Sequence, residues 1–462
     1  MTARDRSTSV TGRAFEALWF GQTVSAIGTQ VSLVALPLIA VLVLHVSAVE
    51  LGILAALETV PYLVLSLPAG VVVDRADRRL TMILCDLGRA AVLLATTAAI
   101  VAGVLTVQLL CVVALVVGSL SVFFSVAYST YVATILEADQ LVAGNQRLEL
   151  SDSAAQVVGP SIGGTLLQLA GGALATAVDG VTYLVSAVAI WRSRPTHLVE
   201  RTAEEADAAA IGLVAAIGEG LRRVAGDRVL RDLAGSTGMF NLGTGIMLAV
   251  VVLFATGDLG LDAAGFGLVY GIGNLGFIFG AVTVGALTRR VGVGRAFAWS
   301  TYVGATAMIV IAMAGGVLGA LALLAGRFIG AVAAPWFNVN ALSLRQARVG
   351  DAIMGRVNAT FLFIDWGPLP VGSLLGGAIA GMFGPRVALA TAAACGVAGA
   401  VWIRLSPASR LVDMAALGPA GPAAAGAPVT GSGEPEAVSA AATDPADGVD
   451  VADPPIDRPL VA

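Results

Sequence analysis

The sequence of 462 residues contains no lysine, so all 26 of its basic residues are arginine. Without lysine there is no nucleotide-binding loop of the G-x-x-x-x-G-K-[ST] type, which excludes an ATP-driven pump on this chain. Only 12% of the residues are charged, about half the share in soluble domains, whereas 57% are hydrophobic. Three cysteines, Cys85, Cys111 and Cys395, all lie in apolar runs and do not form a disulfide scaffold. The composition predicts a polytopic membrane protein.

The net charge of −5 is unevenly distributed. Eight of the 31 acidic residues but only two arginines lie from Ser406 onward, so this stretch carries −6 and the rest +1. No part of the chain concentrates basic residues as a nucleic-acid-binding domain does. The C-terminal stretch is rich in Ala, Pro, Gly and Asp without periodicity, which predicts a disordered cytoplasmic tail over 406–462. We expect its deletion beyond Ala415 to leave the activity intact.

Between Phe15 and Leu405 the chain consists of apolar runs separated by short polar hinges. A membrane helix needs about 20 mostly apolar residues, and backbone groups in lipid must bond within their own segment, so each run predicts a transmembrane helix. We therefore predict an all-α membrane protein with twelve such segments. In order they are 16–44, 48–72, 79–102, 106–133, 148–170, 173–192, 231–256, 263–287, 295–314, 318–342, 353–381 and 386–404.

Arginine placement predicts the orientation of the segments. Arginines precede segment 1 and fill the even-numbered hinges, whereas Arg386 is the exception in the odd-numbered hinges. Because positively charged loops stay in the cytoplasm, we expect a bacterial cytoplasmic membrane protein with both termini inside. The arginines concerned are Arg4, Arg6, Arg13, Arg75, Arg78, Arg79, Arg147, Arg192, Arg194, Arg201, Arg222, Arg223, Arg228, Arg231, Arg289, Arg290, Arg295, Arg345, Arg348 and Arg356.

The longest hinge divides the chain into two sets of six segments. Weak repetition at an offset of about 212 residues, with Asp139 and Asn145 matched by Asp351 and Asn358, is typical of transporters built from two halves. We expect a cytoplasmic N-terminus over 1–14, halves over 15–192 and 231–405, and a linker over 193–230. The linker pattern predicts a helix on the membrane surface, with an apolar face of Ile211, Val214, Ile217, Leu221 and Val224.

The hinge between segments 2 and 3 reads Gly70-Val-Val-Val-Asp74-Arg75-Ala-Asp77-Arg78-Arg79. It resembles the signature loop of the major facilitator superfamily, G-x-x-x-D-R-x-G-R-R, except that Asp77 replaces a Gly. The resemblance implies a cytoplasmic latch between two transporter states. In it Gly70 would pack closely against a neighbouring helix, Asp74 would face the N-terminus of segment 11, and the arginines would pair with acids. We expect Asp86 and Arg89, which lie one turn apart in the half of segment 3 nearer the cytoplasm, to join this latch.

Segment 5 contains Gly159-Pro160-Ser-Ile-Gly163-Gly164. Small residues let two helices approach closely, and a proline bends a helix. The run is similar to the core of the motif in proton-driven exporters of the same superfamily, which favours antiport. Ordinary small-residue packing is the alternative interpretation, because the chain has 56 glycines.

Further runs are similar to the bacterial drug, macrolide and siderophore exporter branch, which includes the enterobactin exporter. The resemblance covers residues 15–405. Members of this branch often carry an Arg where Leu362 and its apolar neighbours stand, and Asp365 is also a departure. The runs are Asn338-Val339…Ser343-Leu344-Arg345-Gln346, Gly355-Arg356-Val357-Asn358-Ala359 and Trp366-Gly367…Pro370-x-Gly372, together with Asp179, Tyr183 and Ser186 in segment 6.

Ionisable residues inside the segments need a reason, because a charge at the centre of a membrane helix costs about 2.5–3.5 kcal/mol. Glu58 lies about ten residues, or roughly 15 Å, inside segment 2 and is the leading candidate for a proton-coupling acid. Asp365 and Asp179 are further candidates, and helix packing is the alternative role of Glu58, with hydrogen bonds, and of Asp179. The similar depth of Arg327 and Asp365 suggests a structural ion pair.

Signals of other chemistry are missing. The sequence has no nucleophile elbow and no zinc-ligand cluster, so we expect neither an enzyme nor a cofactor, and His45 is not expected to hold a metal. Four aromatic residues, Tyr62, Tyr128, Trp336 and Trp366, are candidates to line a cavity for amphipathic molecules. Anchoring at the membrane interface is their alternative role.

These features predict a monomeric transporter that exports small amphipathic molecules, of drug or antibiotic type, in exchange for protons. A membrane potential of roughly 100 mV contributes about 2.3 kcal/mol per proton charge, which supports concentrative export without ATP. The first alternative is a dedicated exporter of an endogenous siderophore or secondary metabolite, which would ignore generic dyes. The second is a non-transporting membrane sensor or scaffold on the same fold.

Overall fold

A computed structural model describes residues 3–136, 140–193, 213–349 and 351–407. The predicted tail from 408 onward, the linker stretch 194–212 and Asp139 lie outside these residues. Side chains are described for most but not all of the remaining positions.

The described chain is built from long helices, which confirms the predicted all-α membrane fold. Most helix ends fall within a few residues of the predicted ends, because the apolar runs and the polar hinges define them locally. The largest difference is at the N-terminus, where the first helix begins at Ala3. The helices are α1 Ala3–Leu42, α2 Ala48–Arg75, α3 Arg78–Val101, α4 Val107–Ile135, α5 Leu141–Arg192, α6 Leu213–Gly226, α7 Arg228–Leu253, α8 Ala263–Val291, α9 Val293–Ala312, α10 Gly319–Arg348, α11 Asp351–Trp366, α12 Pro368–Phe383 and α13 Pro385–Leu405.

Helix α5 crosses the membrane twice. Its apolar part, Gly144–Arg192, has 49 residues and would extend about 74 Å as one helix, more than twice the hydrocarbon thickness. Gly171 interrupts it with φ of 78°, a conformation that favours glycine. The described residues contain 11 candidate membrane spans when Gly144–Arg192 is counted once, so this break brings the crossings to the predicted twelve.

Predicted segment 11 consists of two helices, α11 and α12. Pro368 and Pro370 lack the backbone N–H that would continue the helical hydrogen bonds, so the helix is interrupted between them and Trp366. Gly367 keeps helical φ and ψ and donates its N–H to the Phe363 carbonyl at 2.8 Å, so α11 runs almost directly into α12.

Side-chain caps fix several helix starts. Ser47 and Glu50 form a reciprocal capping box at α2, and Asp77 accepts a hydrogen bond from the Leu80 N–H at 2.9 Å at the start of α3. Asp77 has φ of −67°, so this turn does not require the Gly of the family pattern. Asp227 caps α7 in the same way and also pairs with Arg348 at 3.2 Å.

The helices form two sets that meet along two seams. Helices α1 to α5 pack against one another as a first half, and α7 to α13 as a second half. Between the halves, α5 packs against α8, and α2 packs against α12 and α7. We call the end of the bundle where α2 and α8 finish the arginine-rich end, after Arg75, Arg289 and Arg290, and the other the opposite end.

The described apolar core joins the two halves at the opposite end of the bundle. At the opposite end one buried cluster contains residues of both halves, such as Leu38 and Ala255. Near the arginine-rich end, the described core consists of one cluster around Met82 from the first half and another around Phe297 from the second. Among the described core residues, the halves therefore share a cluster at the opposite end and not at the arginine-rich end.

The predicted linker helix is present as α6. Val224 is buried in the core of the second half, and α6 packs against α11 and α7. Leu221, predicted on the same apolar face, is 55% exposed, so the buried face is narrower than the pattern predicted. Ile211 lies outside the described residues, as do the side chains of Val214 and Ile217.

Candidate functional site

The glycine motif of segment 5 forms the contact of α5 with two neighbouring helices. A Cβ on Gly163 would lie 2.7 Å from the Val31 carbonyl oxygen of α1. A Cβ on Gly164 would lie 3.0 Å from the Gly267 Cα of α8, and Gly267 meets Gly164 reciprocally at the same distance. These backbones touch because neither glycine carries a side chain. The expected close packing is therefore present, and it extends across the seam between the halves.

The other two motif residues lie in the same contacts. A Cβ on Gly159 would lie 3.2 Å from the Ile27 carbonyl oxygen of α1, and the Pro160 carbonyl faces Gly267 across the seam. Pro160 is inside the helix, where it removes one hydrogen bond.

The seam between α2 and α12 uses a second glycine pair that the sequence analysis missed. A Cβ on Gly52 would lie 2.8 Å from the Gly377 Cα, and a Cβ on Gly377 would lie 2.9 Å from the Gly52 Cα. Gly52 is four residues from the start of α2, so this contact lies near the opposite end. In the sequence, the pair Gly376-Gly377 in a predicted helix indicates a close helix contact, but it does not indicate which helix is the partner.

The signature hinge differs from two expectations. A Cβ on Gly70 would meet nothing within 4 Å, so Gly70 is not a point of close helix packing in this conformation. Arg79 donates through Nε to the Ile190 carbonyl at 2.9 Å and also to the Trp191 carbonyl, so it caps the end of α5, and no described acid pairs with it. The Arg75 side chain is exposed, Arg78 is half-buried, and the Asp74 side chain lies outside the described ones.

Asp86 and Arg89 form an ion pair in the interior of the first half, and their part in the latch stays a prediction. They lie eight and eleven residues after the start of α3, or about 12 and 16 Å along a helix of 24 residues. Both are buried, and the Arg89 guanidinium carbon lies 4.3 Å from the Phe124 ring centroid and 4.1 Å from that of Tyr183. This aromatic enclosure explains the depth of the pair.

Asp179 is buried where α5 packs against α1. Thr182 donates to its Oδ1 at 3.3 Å, and a Cβ on Gly28 of α1 would lie 2.7 Å from the same oxygen. Its companions serve the same contact, since Tyr183 bonds to Thr29 at 2.9 Å and Ser186 accepts from Gln22 at 2.9 Å. The geometry of Asp179 therefore matches the packing role, and a part in proton transfer stays a prediction.

Glu58 is a partly buried carboxylate without a described partner. It lies ten residues after the start of α2, or about 15 Å from the opposite end. No described residue donates a hydrogen bond to its carboxylate or forms an ion pair with it. Tyr62 follows one turn later, and its ring stacks on Trp366 with centroids 4.3 Å apart and an interplanar angle of 11°. This stack joins α2 of the first half to α11 of the second.

The predicted ion pair between Arg327 and Asp365 is wrong. Asp365 lies 3.9 Å from the Nη1 of Arg345, which also covers the Phe361 ring at 4.7 Å. Similar depth along two helices did not make Arg327 and Asp365 neighbours, because α10 presents Arg327 to α8 and Arg345 to α11.

Arg327 instead forms a site with residues that the sequence analysis did not single out. Its Nε donates to Asn274 Oδ1 of α8 at 2.8 Å, and its guanidinium carbon lies 4.9 Å from the Tyr270 ring centroid. Asn274 in turn donates to the Gln156 carbonyl of α5 at 2.5 Å. The sequence signal that could have indicated this site was Asn274 itself, a polar amide in a glycine-rich apolar helix.

The other two candidate aromatics pack within one half each. Trp336 of α10 donates to the Gly280 carbonyl at 3.1 Å and Thr283 Oγ1 at 3.0 Å, both on α8. Tyr128 stacks on Phe124 with centroids 5.9 Å apart. Of the four predicted aromatics, Tyr62 and Trp366 are therefore the two that form a pair across the halves.

Comparisons with known proteins extend over nearly the whole helical region. The sequence pattern of the transmembrane secretion effector family matches residues 8–422. No curated protein matches the sequence.

Three solved structures illustrate the likeness in fold. A bacterial homologue of the human lysosomal transporter Spinster, inward-facing and unoccupied, is 14% identical with a TM-score of 0.68, over 87% of this chain and 97% of its own. The nucleoside transporter NupG is 11% identical with a TM-score of 0.66, over 85% and 98%. An inward-facing bacterial homologue of the iron transporter ferroportin is 15% identical with a TM-score of 0.64, over 85% and 98%. At these identities the likeness concerns the fold alone.

Proposed function

The chain belongs to the transmembrane secretion effector family of the major facilitator superfamily, and from this premise we propose that it exports small amphipathic molecules in exchange for protons. Transport proceeds by alternating access, in which the space between the halves opens first at one end of the bundle and then at the other. The buried cluster that the halves share at the opposite end, and their separate described clusters near the arginine-rich end, support this part of the proposal.

Glu58 is the observation that carries the proton coupling. A carboxylate at this depth without a described partner is costly when charged, so proton uptake from water has a strong driving force. The neighbouring stack of Tyr62 on Trp366 crosses between the halves, so a change of charge at Glu58 occurs one turn from a contact that alternating access remakes. Aromatic faces at the same level also suit an amphipathic substrate.

The test replaces Glu58 by Gln and measures export in two settings. In efflux-deficient bacteria, wild-type protein should lower the accumulation of fluorescent dyes and antibiotics, and a protonophore should abolish this effect. In proteoliposomes with an imposed pH gradient, Glu58→Gln should lose gradient-driven transport and keep dye exchange without a gradient, because the amide removes the titratable group and preserves the shape.

The matched control is Glu50→Gln in the same helix. Glu50 caps the start of α2 with Ser47, a role that glutamine also fills, so gradient-driven transport should persist. If Glu58→Gln transports like the wild type, coupling does not reside at Glu58, and Asp365 becomes the acid to test. If well-expressed wild type lowers the accumulation of no compound, broad export is refuted in favour of a dedicated endogenous product.

A further inference from the structure

Arg327 is a charged group at membrane depth whose hydrogen-bonding capacity is mostly unused. It lies eight residues after the start of α10, or about 12 Å from the opposite end. A guanidinium has five N–H donors, and among the described residues the bond of Arg327 is the one from Nε to Asn274. Neither Nη nitrogen donates to a residue that the structure describes, and no described carboxylate lies within ion-pair distance of Arg327.

The surroundings of Arg327 fix its orientation without neutralising it. The guanidinium carbon lies 4.9 Å from the Tyr270 ring centroid and 5.7 Å from that of Phe277. Aromatic faces stabilise a cation but leave its charge in place. Together with the Asn274 bond, they hold the two Nη groups as a preformed fork, which is the geometry that binds an oxyanion through two parallel hydrogen bonds.

The fork stands beside the seam between the halves. Asn274 binds Arg327 with its oxygen and the Gln156 carbonyl of the first half with its nitrogen. Gly271, one turn before Asn274, would place a Cβ 2.6 Å from the Val157 carbonyl of the same helix α5. The site is thus attached to both halves, which is where a transported molecule must be recognised.

The other described arginines that lie in the interior of the helical bundle are already matched. Arg89 pairs with Asp86, and Arg345 lies 3.9 Å from Asp365. Arg327 therefore remains as the described cation at this depth without a counter-ion, and a bound anion would relieve the cost of its unpaired donors.

We propose that Arg327, with Asn274 and Tyr270, forms an anion subsite, and that the substrates carry a carboxylate or sulfonate on an apolar body. This inference rests on the proposed transport function and names its substrate class. In this arrangement the acid of the substrate binds the Nη fork, and the apolar body extends between the halves. Compounds that bear only positive charge are poor substrates.

The test compares two probes that differ only in one charged group. Anilinonaphthalene sulfonate is an anionic fluorescent amphiphile, and phenylnaphthylamine is the same skeleton without the sulfonate. Their dissociation constants are measured on purified protein in phosphatidylcholine nanodiscs, with empty nanodiscs subtracted. The wild-type protein should bind the sulfonate more tightly than the neutral probe. Arg327→Gln should raise the dissociation constant of the sulfonate at least tenfold and change that of the neutral probe less than twofold. Arg327→Lys should have an intermediate dissociation constant for the sulfonate.

The matched control is Arg386→Gln, which removes an arginine paired with Asp258 at 3.0 Å at the opposite end and should keep the wild-type ratio. An unchanged ratio in Arg327→Gln overturns the proposal. If Arg327→Gln does not fold, the wild-type protein provides a second test. Naphthalene sulfonate should displace bound anilinonaphthalene sulfonate, and uncharged naphthalene sulfonamide should not. Equal displacement by the two compounds also overturns the proposal. Because binding is measured without a gradient, a failure of proton coupling at Glu58 leaves this result unaffected.

Discussion

The rings of Tyr62 and Trp366 stack 4.3 Å apart between two helices that belong to different halves of the protein. Gly367 lies beside the stack, where an added Cβ would be 3.4 Å from the Leu63 Cδ1. The contact thus links α2 to α11 at the level of Glu58. Since it forms in the present conformation, which we propose is open at the arginine-rich end, it stabilises that conformation over any state in which the rings separate.

Loss of the stack should shift the conformational equilibrium. Such aromatic pairs contribute about 0.5–1.5 kcal/mol beyond burial, so Trp366→Leu should change the ratio of the two states by about two- to tenfold. Spin labels at the exposed positions Arg75 and Arg290, in a background free of Cys85, Cys111 and Cys395, report the separation of the halves. Double electron–electron resonance, which measures the distance between the two spin labels, should show more of the short-distance population in Trp366→Leu. Trp336→Leu, whose indole bonds within the second half, should keep the wild-type distances, and an equal shift in both variants would contradict this assignment.

The glycine contact between α5 and α8 should not accommodate even one added methyl group. Gly164→Ala places a Cβ 3.0 Å from the Gly267 Cα, a backbone atom that cannot rotate away, so we expect a destabilisation of about 1–3 kcal/mol. Gly70→Ala, which meets nothing within 4 Å, is the control. Thermal melting of the two purified variants measures the difference. Equal melting temperatures of the two variants would contradict the prediction, because they would show that α5 and α8 can move apart without loss of stability.

The ion pairs Asp86–Arg89 and Asp365–Arg345 should differ in their contribution to stability. Removing one partner of a buried pair leaves an uncompensated charge, at a cost of about 3–5 kcal/mol, so Asp86→Asn should destabilise the protein strongly. Asp365→Asn should cost less than about 1 kcal/mol, because the Asp365 side chain is 36% exposed and lies 3.9 Å from Arg345. Thermal unfolding in detergent compares the variants, and the reverse order would refute the interpretation of both pairs.

The sequence by itself determined the helices and their order. Segment lengths, hinge positions and the break between the two crossings of α5 follow from local hydrophobicity, from glycine and proline, and from capping residues such as Ser47 and Asp77. The close contact at Gly163 and Gly164 was also predictable, since a run of small residues in a membrane helix has few other uses. These properties depend on neighbours along the chain.

Only the tertiary structure decided which side chains meet. Depth in the membrane can be counted along a helix, but the direction of a side chain depends on the rotation of the helix and on its choice of neighbours. For this reason Asp365 lies near Arg345 and not Arg327, and Tyr62 stacks on Trp366. For the same reason the sequence did not predict the hydrogen bonds from Arg327 to Asn274 and from Asn274 to Gln156 of the other half, because these three residues lie on three different helices.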